Sequence, residues 1–142
     1  ALTARGGDLG RVWQMPRPVI YRALSRLEAA GLVVPTDVES GGGPPRTVYA
    51  VTDAGRDAVD AWLAEPVRHV RELRSHLLMK LALLDRRGLP IGPLVDAQRA
   101  ALEPVLDAVA AERARADGFD AVLLSWRHGN VVAAMEFLKE IG

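Results

Sequence analysis

The pattern of apolar and polar positions predicts a short helix between Pro16 and Gly31. Ile20, Leu24 and Leu27 recur at i, i+4 and i+7, which places three apolar side chains on one helical face. Proline at the start and glycine just past the end are typical boundaries of a single helix. The other positions carry arginines, a tyrosine and a serine, so this helix should bury one face and expose a cationic, hydroxyl-bearing one. Such a surface suits the major groove of DNA, although arginines on a helix are also common as a merely solvated face.

The segment after this helix predicts two strands joined by a turn. Residues 32–37 begin with an apolar run, residues 39–45 read Glu-Ser-Gly-Gly-Gly-Pro-Pro, and residues 46–51 alternate apolar and polar positions. Alternation of this kind is typical of a half-buried strand. Helix, strand, Gly/Pro-rich turn and strand in this order describe a winged helix, with Arg46 at the base of the wing.

The remainder of the chain predicts helices only. Thr52 provides a helix cap after the second strand, and the helix it starts should run to about Glu65, where Pro66 ends it. Three further helices follow, and Pro104 should kink the middle one or start its second segment. We therefore expect a mainly α protein with a two-stranded wing. Its two domains are a winged helix-turn-helix domain over residues 1–66 and a helical domain over residues 67–142.

Composition limits the class of protein without naming its function. The chain has 142 residues, 49% of them hydrophobic, no cysteine and no apolar run of transmembrane length. We expect no disulfide, no membrane partner and a cytoplasmic location. The net charge is zero, but residues 11–30 hold four arginines against one glutamate, so a basic patch is present on a neutral chain.

The sequence offers no pattern for catalysis or metal binding. The three histidines lie at least seven positions apart and lack the spacing of a zinc site. The glycine run near residue 42 lacks the Lys-Ser/Thr of a phosphate-binding loop, and no serine lies in a nucleophile elbow. We expect neither an enzyme nor a cofactor.

The order of residues resembles the phenolic-acid-responsive PadR-type transcriptional regulators. The resemblance rests on residues 9–13 (Leu-Gly-Arg-Val-Trp), on residues 18–27 (Pro-Val-Ile-Tyr-Arg-Ala-Leu-Ser-Arg-Leu) leading to Gly-Leu-Val, and on residues 49–55 (Tyr-Ala-Val-Thr-Asp-Ala-Gly). It continues through Trp62 and the helical pattern that follows. Family members usually begin with an apolar helix before this point. Because the chain opens at Ala1 without methionine, we expect it to lack that first helix.

The resemblance implies a dimeric DNA-binding repressor, often released by a small molecule. Arg22 and Arg26 lie one turn apart and are candidates for guanine edges or phosphates, whereas Arg17 and Tyr21 suit backbone phosphates. The full set of predicted DNA contacts is Arg17, Pro18, Tyr21, Arg22, Ser25, Arg26 and Arg46.

The helical domain carries the predicted dimer interface. Apolar residues repeat at sevens in its middle helix, a spacing that suits packing along another helix within the chain or in a second chain. The resemblance favours a second chain. The predicted interface comprises Val95, Leu102, Leu106, Val109, Phe119, Val122 and Trp126.

An effector pocket is predicted in the helical domain. Phe119, Trp126 and Met135 are candidates to line an apolar cavity for an aromatic or drug-like effector. The alternative, which the sequence favours, is that they only pack the dimer core.

A function of another class also stays open at this stage. Winged helices also serve as protein-interaction or scaffold domains that do not bind DNA, so the fold alone does not decide between the two functions.

Overall fold

The computed structural model describes residues 16–39 and 46–142. Contacts divide the chain into two compact units, with the division between Trp62 and Leu63. We call the described residues from 16 to 62 the winged unit and residues 63–142 the helical unit. The predicted domain boundary after residue 66 stays a prediction.

The winged unit contains a helix, a two-stranded antiparallel sheet and the greater part of a second helix. Its elements are α1 (Arg17–Ala29), β1 (Val33–Glu39), β2 (Arg46–Val51) and α2 (Asp53–Ala64), the last of which ends inside the helical unit. The sheet pairs Val33 with Val51 and Glu39 with Arg46, and its register shifts between Pro35 and Asp37. The predicted fold class, mainly α with a two-stranded wing, is confirmed.

Helix α1 ends where its glycine predicts. Gly31 has a φ of +70°, a left-handed conformation that glycine adopts without steric penalty. The N–H of Gly31 donates to the carbonyl of Glu28 at 2.9 Å, and the N–H of Leu32 donates to that of Leu27 at 2.9 Å. This pair of bonds is the Schellman motif, which satisfies the last carbonyl groups of a helix and turns the chain into β1.

Thr52 and Gly55 join the start of α2 to the end of α1. The Thr52 hydroxyl donates to the Gly31 carbonyl at 2.8 Å and accepts the Gly55 N–H at 3.0 Å, as a helix cap should. A Cβ on Gly55 would lie 2.1 Å from the carbonyl oxygen of Leu32. Only glycine therefore permits this close approach of the two backbones.

The helical unit consists of a distorted first segment and three α-helices. A 3-10 turn (Val70–Glu72) and a π-helical segment (Leu73–Leu77) lead into α3 (Leu78–Arg86), followed by α4 (Gly92–Arg113) and α5 (Gly118–Ile141). The three predicted helical regions are present, but the first is regular only from residue 78.

Pro104 does not divide α4, which is one continuous helix. The alternative in which Pro104 starts a second segment is therefore wrong, whereas the predicted kink stays a prediction. Proline lacks one backbone donor, and at this exposed position the helix continues past the loss of that single bond.

The core of the helical unit is built from all of its helices and from the segment that enters it. The clustered buried side chains are Leu63, Val67, Leu73, Leu77, Leu84, Leu94, Val95, Leu102 and Leu138. Two polar side chains, Lys80 and Gln98, are buried in the same unit.

Candidate nucleic-acid interface

Helix α1 presents the predicted DNA contacts on an open surface. The side chains of Arg17, Arg22 and Arg26 are exposed, and Tyr21 is 68% exposed. Pro18 and Ser25 are exposed as well. All six of these predicted contact residues therefore lie on accessible surface of a single helix.

The opposite face of α1 is only half-buried. Ile20 and Leu24 are partly covered, whereas Leu27 is 38% exposed. The prediction that all three are buried is thus wrong for Leu27.

The arginines of α1 have no acidic partner within the described ranges. Among the described residues, arginine ion pairs join Arg56 to Asp53 and Arg68 to Glu65, both outside α1. Arg22 and Arg26 instead flank a shallow depression of about 400 Å³ lined by Val19, Ala23 and Leu27. Guanidinium groups placed in this way keep their donors available for phosphates or base edges.

Ser25 and Glu28 are engaged within the winged unit. The Ser25 hydroxyl donates to the Tyr21 carbonyl at 3.1 Å, which leaves its oxygen able to accept a further bond. The Tyr49 hydroxyl of β2 donates to the Glu28 carboxylate at 3.2 Å. Burial, followed by the Glu28 hydrogen bond and charge, raises the pKa of Tyr49 above its ordinary value of 10.0. Glu28 is the acidic residue of α1, and this bond directs it toward the wing.

The wing carries the last predicted contact. The backbone places Arg46 at the first position of β2, opposite Glu39. Contacts of the Arg46 side chain, and the predicted wing tip over residues 40–45, lie outside the described residues, as do residues 1–15 with the expected loss of a first helix. The wing contact of Arg46, the wing tip and the loss of a first helix therefore stay predictions.

The predicted dimer-interface residues separate into two groups. Val95, Leu102 and Val109 are buried inside the protomer, so they have no surface to offer a second chain. For these three the intramolecular alternative holds, because the spacing of sevens packs α4 onto its own neighbours. Phe119 and Trp126 are 77% and 72% exposed. Val122 is exposed as well, and Leu106 is half-buried, so these two residues also keep surface that a second chain could cover.

A cavity of about 480 Å³ lies in the helical unit, but the predicted effector trio does not line it together. Of the three residues only Trp126 contributes, while Met135 packs against the core cluster. Sequence reasoning missed the rest of the lining, which comprises Arg68, His69, Val70, Arg71, Val105, Val109, Arg127, Asn130 and Val131. The only sequence signal for it was the pair of arginines just after Pro66.

Two comparisons with known proteins bear on this interface. Residues 5–61 match the Transcriptional regulator PadR-like family. The chain is also 32% identical over 112 residues to the probable transcriptional regulator Rv1176c of Mycobacterium tuberculosis, an alignment that covers 76% of this chain and 57% of that protein. Together the two matches support a PadR-type transcriptional regulator.

The PadR-like match spans α1, the wing and most of α2, which are the elements that present the arginine surface. The chain aligns with little more than half of the length of the curated relative.

Two negative findings apply to the part of the chain that the structure describes. There, no helix is both long enough and apolar enough to cross a membrane. Within the same ranges, no three His, Asp or Glu side chains gather in a way that would hold a metal ion.

Proposed function

We propose that this PadR-like chain is a homodimeric, sequence-specific DNA-binding repressor of transcription that a small effector releases from its operator. The observation that carries the proposal is the arrangement of α1, where Arg17, Arg22 and Arg26 are exposed without a described acidic partner. We also propose that the protein acts in the cytoplasm.

In this proposal α1 enters the major groove. Arg22 and Arg26 reach guanine edges or phosphates, and Arg17 and Tyr21 hold backbone phosphates beside the groove. Pro18 packs at the start of the helix near the backbone, and the Ser25 hydroxyl accepts a bond from a base or supports phosphate contact. Arg46 at the base of the wing meets an adjacent phosphate or the minor groove.

A second copy of the chain would cover the exposed apolar stripe of α5. Phe119, Val122 and Trp126, joined by the half-buried Leu106 of α4, form the remaining predicted interface. A symmetric dimer through such a stripe presents two recognition helices, which operators read about one DNA turn, roughly 34 Å, apart.

The cavity beside Trp126 is the site where an effector would act. An effector that binds one spacing of the two recognition helices more tightly than another shifts the protein toward that spacing. Because only Trp126 of the predicted trio lines the cavity, the effector would rest on its indole and on the neighbouring arginines.

The protein-interaction alternative has one observation in its favour. The depression on α1 is lined by apolar Val19, Ala23 and Leu27 together with Arg22 and Arg26. Exposed apolar surface rimmed by charge is also found where proteins dock.

The test is fluorescence anisotropy with the duplex from upstream of the protein's own gene and with a scrambled duplex of the same composition. We expect tighter binding to the first duplex, and we expect Arg22→Ala to weaken it by about 1 to 3 kcal/mol. Arg86→Ala, an exposed arginine of α3, is the matched control and should leave affinity unchanged. Equal, feeble binding of a well-folded dimer to both duplexes would overturn the proposal and direct the search to a protein partner.

A further inference from the structure

The segment that leaves α2 and enters the helical unit is held by a buried glutamine. Gln98 of α4 is 0% exposed. Its side-chain amide nitrogen donates to the Val67 carbonyl at 2.9 Å, and the Val67 N–H donates to its amide oxygen at 2.6 Å. One side chain therefore satisfies both backbone groups of a residue that belongs to no helix or strand.

A buried lysine holds the same segment two residues earlier. Lys80 of α3 is 3% exposed, and its ammonium group donates to the backbone carbonyl of Glu65. Burial lowers the pKa of Lys80, and the Glu65 carboxylate opposes that change. Lysine and glutamine are rarely buried unless their polar groups are paired, so two of them that bind the backbone of Glu65 and Val67 form a specific arrangement.

The segment has apolar anchors on either side of these bonds. Leu63, in the last turn of α2, and Val67 are both buried in the core cluster of the helical unit. The next residues, Arg68 to Arg71, line the cavity that contains Trp126. Residues 65–67 therefore lie, along the chain, between that cavity and the helix that completes the winged unit.

We propose that Gln98 and Lys80 are positioning residues that hold residues 65–67 in one conformation, so that the state of the helical unit is transmitted through this junction to α2. The consequence for DNA affinity rests on the proposed function, whereas the fixed conformation of the junction does not. The hydrogen bonds of Gln98 and Lys80 can fix this segment because each bond specifies one position of the backbone, whereas an apolar contact alone would let the segment shift along the core.

The first arm of the test measures the junction itself. Gln98→Leu keeps the volume of the side chain but removes both bonds to Val67. We expect the Val67 amide to exchange with solvent at least about tenfold faster, because its buried partner is lost. Leu102→Val is the control, since it shortens a buried side chain one turn away on the same helix and keeps both Gln98 bonds to Val67; it should leave the exchange of Val67 relative to its neighbours unchanged.

The second arm measures coupling to DNA. In the full-length chain, Gln98→Leu and Lys80→Met should each weaken binding to the upstream duplex by about fivefold or more, whereas Leu102→Val should not. Lys80→Met retains the aliphatic stem and provides an independent variant if Gln98→Leu fails to fold.

The outcomes are distinguishable. Unchanged exchange of the Glu65 and Val67 amides in both variants overturns the proposal. Faster exchange with unaltered affinity in a chain that binds DNA also overturns it, since the junction would then position nothing. If the parent chain binds no duplex, the proposed function fails, and the exchange measurement alone still decides whether the clamp holds the junction.

Discussion

The winged unit and the helical unit are held together in different ways. Within the described residues, every buried apolar side chain except Val33 belongs to the helical unit. The winged unit relies on strand pairing, on the Schellman motif after α1 and on the bonds of Thr52. The winged unit thus keeps its surface residues exposed, as the proposed DNA binding requires, whereas the helical unit uses its apolar residues for a core. In the proposed function, stability and DNA recognition therefore lie in separate parts of this chain.

The largest expected effect lies in the helical core. Leu102→Ala removes a fully buried side chain and should lower the free energy of unfolding by about 2 to 5 kcal/mol. Denaturant unfolding with region-resolved hydrogen exchange should place the loss in α3, α4 and α5. Leu106→Ala, one turn along the same helix and half-buried, is the control with a smaller loss. If Leu102→Ala accelerated hydrogen exchange in the winged unit as much as in the helical unit, the two units would unfold as one.

A smaller loss of stability is expected where the backbones of Gly55 and Leu32 approach each other closely in the winged unit. Gly55→Ala places a Cβ against the Leu32 carbonyl and should lower stability by about 1 to 3 kcal/mol, with faster exchange in α1 and β1. Gly129→Ala is the matched control, because nothing lies within 4 Å of its added Cβ inside α5. That control should be neutral or stabilising by up to about 1 kcal/mol. A Gly55→Ala chain as stable as the parent contradicts the close packing described here.

The smallest effect distinguishes the two units by pH. The pKa of Tyr49 is raised above 10.0, so the stability it contributes is present at lower pH and is lost as pH rises through its folded value. The pKa of Lys80 is lowered below 10.5, so its contribution rises with pH between its folded value and 10.5. Chemical denaturation between about pH 9 and 11 should therefore show the parent losing stability relative to Tyr49→Phe and gaining it relative to Lys80→Met. If the stability difference between parent and variant changed with pH in the same direction for both variants, it would contradict the environments of Tyr49 and Lys80 described above.

Local signals in the sequence predicted most of the winged unit. Gly31 marks the end of α1, Thr52 marks the start of α2, and the alternation of residues 46–51 marks β2, because each acts through neighbouring residues. The exposure of Arg22 and Arg26 follows from their places on α1.

Tertiary packing decided the features that the sequence did not. The apolar repeat of α4 was compatible with packing against a second chain. In the structure its residues Val95, Leu102 and Val109 are instead buried within the protomer. Gln98 lies three residues after Val95 and four before Leu102, and Lys80 lies three after Leu77, so both share an apolar helical face. That spacing was the available signal for their burial, but their partners, residues 65–67, have no periodic pattern that would reveal them.

The most direct test of the central claim is the salt dependence of duplex binding for the parent chain and for Arg22→Ala combined with Arg26→Ala. Arg86→Ala combined with Arg115→Ala, two exposed arginines of the helical unit, is the control. The account predicts weaker binding by the α1 variant, with a slope of log affinity against log salt reduced by about 1 to 2 where these groups meet phosphates, and no change in the control. Identical affinity and slope for all three proteins would contradict DNA recognition by α1.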